Sequence, residues 1–240
     1  MIKIDNIEFP KISLGTSPFL GAGQFDSRAL NYYSNLYNKP ENMINIILKS
    51  LEMGINAVNV IAYRKIVDAV LKVSQISTQR IYSSLVIGIE DWEEELRYAE
   101  ELNSDIIYIH ARISDSRRLS LIKEIIESIR RYDFIPGCAT HNPATTIPFL
   151  DDSKLDISTY LAPINKIGRF MGKDSKSTLD IICNTPKIVI AKKALAAGRL
   201  DPLEALQYLT SQNKISGVAL GIASVEEAQE TLSIAKRLYT

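Results

Sequence analysis

The chain is short of the residues that most often do chemistry: of 240 residues, two are cysteine, two are histidine and one is tryptophan. The cysteines, Cys138 and Cys183, show neither metal-ligand nor dithiol spacing and sit in apolar contexts, so they read as reduced core residues. Charge of either sign is not in excess. Lys plus Arg and Asp plus Glu both total 28, with no block of like charges. Nothing electrostatic therefore argues for a nucleic-acid partner or an anionic membrane surface. No apolar run is long enough to span a bilayer. The opening Met1-Ile2-Lys3-Ile4-Asp5 lacks the apolar stretch of a signal peptide, and the expectation is a soluble, cytoplasmic protein. No linker or low-complexity stretch divides the chain, which is read as one domain, 1–240.

What is present is a globular composition, 46% hydrophobic and 23% charged. A chain of this length buries a large core without disulfides or metals. Ile, Lys and Tyr are abundant, a balance that suggests a thermophile.

Short β-branched runs alternate with segments of helical period. The runs are Lys11–Ser17, Asn56–Ile61, Ile81–Ile89, Asp105–His110, Ile135–His141, Asp156–Asn165, Lys187–Ala194 and Gly217–Ala223. Several are apolar on both faces, as parallel strands covered by helices must be. Between them lie apolar stripes such as Met43, Ile46, Ile47 and Leu51, and Ile122, Ile125, Ile126 and Ile129. Capping signals mark the helix starts at Asp91, Asp201-Pro202 and Ser224, and Gly54 suits a helix end. Pro143 suits the first turn of a helix that Pro148 should keep short. Eight such units predict a (β/α)8 TIM barrel. There is no glycine fingerprint after the first strand, which argues against an open doubly wound sheet. Ile2–Ile4 and Ile7–Phe9 predict a small hairpin capping the bottom of the barrel. The segment Phe19–Lys39, rich in Gly and Tyr, reads either as a partial lid or as a loop packed on its own tyrosines.

Barrel enzymes carry chemistry at the C-terminal ends of their strands. Polar residues predicted there include Thr16, Asn59, Tyr63, Glu90, His110, His141, Asn165, Lys192, Lys193 and Ser224. Both histidines fall at the ends of adjacent strands, the fourth and fifth. Each reads as an acid or base, or as a capping residue of the rim. Strand alternation points one of Lys192 and Lys193 inward and the other outward. An inward lysine is able to pair with an anion or form a Schiff base, or else it is a rim residue reaching solvent. His110, His141 and Glu90 form no recognisable metal motif, and no metal is expected. Gly198 and Arg199, with Ser224 opening a helix, form a candidate phosphate or carboxylate cradle. The alternative is a turn glycine, a solvated arginine and a plain cap.

Four stretches resemble the aldo-keto reductases. They are Ile12–Thr16, Gly54–Asn59 followed by Tyr63, Asp105–His110, and Lys193–Leu200 with Gly221–Glu227. The resemblance implies a barrel that reduces carbonyls with NADPH through an Asp-Tyr-Lys-His tetrad. On it, His110 matches the histidine, Tyr63 lies near the tyrosine and Asn59 replaces the aspartate. No lysine stands in Ile81–Asp91, where that family's third strand supplies one. Where that family's fifth strand ends in the Ser-Asn pair that holds the nicotinamide amide, this chain reads Ala139-Thr140-His141-Asn142-Pro143. Glu227 and Thr231 take the places that face the adenosine phosphate. The expectation is therefore a divergent aldo-keto reductase-like oxidoreductase on a small carbonyl compound. Its catalytic candidates are Tyr63, His110, His141 and Asn59. Its cofactor candidates are Gly198, Arg199 and Ser224, and NADPH is the implied cofactor. A lyase or isomerase on a phosphorylated or carboxylated small molecule, and a non-catalytic ligand-binding barrel, are the alternatives.

Overall fold

Strands that are apolar on both faces need a covering layer on each side, and a closed ring of strands wrapped in helices supplies both. A computed structural model of the chain, describing residues 1–239, has this arrangement. The barrel strands are β3 (Ile12–Gly15), β4 (Ala57–Ile61), β5 (Tyr82–Ile87), β6 (Ile106–Ile109), β7 (Ile135–Ala139), β8 (Thr159–Pro163), β9 (Ile188–Lys192) and β10 (Ile215–Gly221). They pair in parallel in chain order, and β10 closes on β3. Seven lie within the predicted runs, mostly trimmed by one to three residues at their ends, and β10 overlaps its run but starts two residues earlier, at Ile215. The antiparallel strands β1 (Ile2–Ile4) and β2 (Ile7–Phe9) form the predicted hairpin.

The helices are α1 (Ala29–Tyr32), α2 (Pro40–Glu52), α3 (Arg64–Ile76), α4 (Trp92–Leu102), α5 (Ala111–Ser114), α6 (Leu119–Arg131), α7 (Pro143–Asp152), α8 (Ser175–Asn184), α9 (Pro202–Thr210) and α10 (Val225–Tyr239). Among the described residues no helix is long and apolar enough to cross a membrane. The caps form as the sequence suggests. Asp91 accepts from the Glu93 and Glu94 amides, Asp201 from Glu204 and Ser224 Oγ from Glu227. One expectation fails: α7 continues through Pro148 to Asp152. That proline lies in the second turn, so it deprives only the Ala144 carbonyl of its intrahelical partner.

Alternation along each strand sorts the side chains into two shells. Leu14, Val58, Val60, Leu85, Ile87, Ile107 and Ile109 belong to the outer core, together with the helix stripes at Met43, Ile47, Ile122 and Ile126. Burying each such side chain contributes about 1.5–3 kcal/mol. Ala57, Val86, Tyr108, Leu161, Ile190 and Ala219 fill the barrel interior. Ile2, Ile4 and Phe9 of the hairpin join that inner cluster, beside the strand-start residues Ala57, Ile106 and Ile135. The bottom mouth is thus plugged by hydrocarbon. Tyr108 spans the middle of the barrel, wholly buried, with its hydroxyl 3.3 Å from Thr159 Oγ1. It fits because its neighbour is glycine: a Cβ on Gly137 would lie 2.5 Å from the Tyr108 ring. With the lower interior packed solid, a ligand can enter only from the C-terminal rim.

Candidate active site

The rim opens into a cavity of about 480 Å³, in the size range of small-molecule sites. Its walls include Asn59, Tyr63, His110, His141, Lys192 and Lys193. Four different strand ends therefore bring the sequence-derived catalytic candidates to one place, together with both lysines.

The segment after β3 covers part of this cavity. It is more helical than its composition suggests, with 3-10 turns at Ser17–Leu20 and Gly23–Arg28, then α1 and a π-turn at Tyr33–Tyr37. Gly21 makes the path feasible: its φ is +59°, and a Cβ there would meet the Ala29 carbonyl at 2.2 Å. Both readings of the segment hold together. Phe25 and Tyr32, and Tyr33 and Tyr37, pack ring on ring, while Phe25, Arg28 and Tyr32 also line the cavity. Arg28 donates to the Ala197 carbonyl and so ties the cover to the loop after β9.

Asn59 points into the barrel from β4 and donates through Nδ2 to Ser84 Oγ at 2.8 Å. Its register partner on β5 is Ser84 itself. A neutral amide, bonded to a serine, therefore stands where the resemblance seeks the aspartate, and β5 (Tyr82–Ile87) carries no lysine. Tyr63 follows at the start of α3, its ring edge-on to Tyr37. Burial, and then the Glu90 and Glu95 carboxylates, push its phenol pKa upward against a weaker opposing effect of Arg112. No cation makes Tyr63 a ready acid. Glu95 was not foreseen. It reaches back from α4 to accept the amides of Gly88, Ile89 and Glu90, anchoring the turn after β5. Burial holds its own pKa above the ordinary carboxylate value.

His110 caps the short α5, its Nδ1 accepting the Arg112 amide at 3.2 Å. That bond makes Nδ1 the acceptor nitrogen and leaves the proton on Nε2. Burial chiefly, then Lys192 and Arg112, lowers its pKa to about 4. His141 stands at the mouth, its ring 5.8 Å from that of His110 and edge to face. Its pKa falls to about 3, through burial and then the lysines. At neutral pH both imidazoles are uncharged. The turn carrying His141 is held by Asp115, another residue the sequence did not single out. Asp115 accepts the His141 amide at 2.8 Å and the Thr140 and Thr146 hydroxyls at 2.5 and 2.8 Å.

The two lysines depart from the expected one-in, one-out arrangement. Lys192 ends β9 facing inward, but Lys193 has a φ of +57°. That left-handed turn breaks the alternation, and both side chains line the cavity. Lys193 Nζ sits 4.4 Å from the centre of the Phe170 ring. Burial, and then the Lys193 charge, lowers the Lys192 pKa to about 7. Lys193 falls to about 8 through burial, with Asp115 opposing. Among the described residues neither lysine has a salt-bridge partner.

The remaining candidates are less concentrated. Gly198 lines the cavity, whereas Arg199 and Ser224 are not part of its wall. Arg199 is engaged with Asp26 and the Ala196 carbonyl. The amides of Gly198 and Arg199 both donate to the Leu195 carbonyl. Ser224 Oγ is occupied as a cap, and Glu227 accepts the Ala223 amide at 2.9 Å. Glu227, Glu230 and Thr231 do face the cavity. Asn165 is buried and bonded to Arg169 and to the Lys193 carbonyl, so it shapes the loop. Glu90 lies exposed, and among the described residues no group of three His, Cys, Asp or Glu side chains is placed to hold a metal.

No family model matches the chain, and no curated protein matches it in sequence. Its fold is that of several solved structures. A Pseudomonas aeruginosa protein assigned to the aldo-keto reductases superposes with a TM-score of 0.73 at 13% identity, over 99% of this chain and 94% of that one. An aldo-keto reductase from Bacillus halodurans gives 0.65 at 16% identity, over 94% and 86% of the two chains. A glycerol dehydrogenase from Gluconobacter oxydans gives 0.64 at 14%, over 99% and 93%. At these identities the likeness establishes a shared barrel.

Proposed function

We propose that this chain is a divergent member of the aldo-keto reductase-like superfamily, acting as an oxidoreductase on a small carbonyl compound in the rim cavity. The observation that carries the reading is the meeting of Asn59, Tyr63 and His110 on one cavity of a barrel with that fold. The role of each residue follows from its state. His110, uncharged with its proton on Nε2, serves as a hydrogen-bond donor to a carbonyl oxygen. Tyr63 donates its hydroxyl in the same sense, without the cation that would make it a stronger acid. Donors fixed before the reaction stabilise charge developing on that oxygen. Asn59, held by Ser84, orients this wall of the site. His141 narrows the mouth against His110.

The residues do not fit NADPH. By the sequence resemblance, Glu227 and Thr231 take the places that face its adenosine phosphate. Glu227 and Glu230 bring two carboxylates to that end of the cavity against Arg28, whose guanidinium is bonded to the Ala197 carbonyl, and like charges repel a 2′-phosphate. Arg199, the cationic candidate, is already paired with Asp26. NADH lacks that phosphate and meets no such repulsion. Titration with both nucleotides, followed by thermal shift, tests the reading. It expects NADH to raise the melting temperature and NADPH to do so far less. Binding of neither would sink the oxidoreductase assignment.

A further inference from the structure

Lys192 and Lys193 have no part in the reading above, yet they are the most unusual charges in the molecule. Two adjacent lysines enter one cavity, and among the described residues no carboxylate is in salt-bridge contact with either. A left-handed residue is required to bring them there, and a bulky side chain in that conformation is strained.

We propose that Lys192 is a nucleophilic amine that forms an imine with the carbonyl carbon of a small aldehyde or ketone bound in the rim cavity. The inference rests on the carbonyl reading of this same site and deepens it. Three placements support it. Lys192 points inward from a strand end, so its backbone is fixed by the barrel ladder. It shares the cavity wall with His110, His141 and Tyr63, which can donate to or accept from a bound carbonyl oxygen. Its neighbour Lys193, pinned over Phe170, supplies a second positive charge. A nearby cation and a desolvated pocket are the two means by which a lysine is made a free amine near neutral pH. The groups facing Lys192 are Lys193, His110, His141 and Asp115, of which only Asp115 favours the ammonium form. With Lys192 near 7, its unprotonated fraction at neutral pH is roughly a thousandfold that of an ordinary surface lysine.

The step balances without a further reactant. The Lys192 nitrogen lone pair attacks the carbonyl carbon, the carbonyl π electrons move onto oxygen, and one of the two amine protons passes to that oxygen, giving a carbinolamine. Loss of the hydroxyl with the one remaining nitrogen-bound proton, as water, leaves the carbon–nitrogen double bond.

The test is trapping at pH 7 with limiting cyanoborohydride and, in turn, acetaldehyde, glycolaldehyde, dihydroxyacetone and pyruvate. Intact mass and a peptide map read the product, and thermal shift without reductant reads binding. The expected result is a single reduced adduct on the peptide holding Lys192, lost in Lys192→Met. Lys193→Met should lower the trapping rate at pH 7 about tenfold, with recovery at higher pH. If Lys192→Met does not fold, the peptide map of the unaltered protein decides alone. Adducts spread over surface lysines would overturn the proposal. A probe that stabilises the protein yet gives no Lys192 adduct would overturn the imine while leaving the carbonyl reading intact. Failure of every probe to bind or react would overturn both.

Discussion

Asp115 and His141 are joined by a bond between a side chain and a backbone. The carboxylate of one accepts the amide of the other at 2.8 Å, across 26 residues of sequence. The same carboxylate takes the Thr140 and Thr146 hydroxyls, so one group fixes the turn that carries a rim histidine.

Removing that carboxylate should therefore loosen the mouth of the site. Asp115→Ala leaves three donors without their acceptor. Charge-assisted bonds of this kind contribute about 1.5–3 kcal/mol each, not additively. The expected loss is about 2–4 kcal/mol, read as the urea midpoint. Asp115→Asn should fall between Asp115→Ala and the unaltered chain.

The histidines make stability depend on pH with a definite sign. Both have folded pKa values below the free value, about 4 for His110 and about 3 for His141. Between those values and about 6.5 the unfolded chain binds more protons, so stability falls as pH is lowered through that window. His110, the more buried of the two, accounts for about 1–3 kcal/mol of this. The open position of His141 makes its share smaller. His110→Gln should flatten the curve of unfolding free energy against pH between about 4 and 6.5.

The barrel interior offers a packing test independent of function. Gly137→Ala drives a methyl into the Tyr108 ring, with 2.5 Å where ordinary contact needs far more. Overpacking of this kind costs about 1–3 kcal/mol. Adding Tyr108→Leu should recover part of the loss contributed by the clash, so the two changes combine non-additively in denaturant unfolding.

At the acidic end of the cavity, Glu227→Gln removes one of two carboxylates while keeping an acceptor for the Ala223 amide. NADPH should then bind roughly tenfold more tightly, about 1.4 kcal/mol. NADH should change less. Calorimetric titration of both proteins with both nucleotides checks the difference.

The barrel was legible because its signals are local. Runs such as Asp105–His110, apolar on both faces and flanked by helical stripes, leave few other architectures open. The meeting of His110 and His141 was legible for the same reason, since adjacent strand ends must be neighbours. What escaped was set by single dihedral angles or by distant partners. Nothing in Lys192-Lys193 announces that Lys193 turns left-handed and sends both ammoniums into one cavity. Asp115 follows a four-residue helix without a motif, and its role exists only because Thr140 and Thr146 come to it through the fold. Glu95 reads as a surface residue of a helix rich in glutamate. Its exposure of only 3% follows from the three amides that the turn after β5 turns toward it. Arg199 looked free for an anion until Asp26 closed on it from the segment after β3.

On the proposed function the rim cavity is a carbonyl site built on His110. Thermal unfolding in the presence of small aldehydes and ketones tests it most directly, on the unaltered chain and on His110→Ala. At a hundredfold excess over its dissociation constant, a ligand of the folded state adds about 2.7 kcal/mol. For a domain of this size that is a rise of roughly 5–10 °C in melting temperature. Such a rise is expected for at least one carbonyl compound, largely lost in His110→Ala. A rise that survives His110→Ala unchanged, or none with any carbonyl compound, would contradict it.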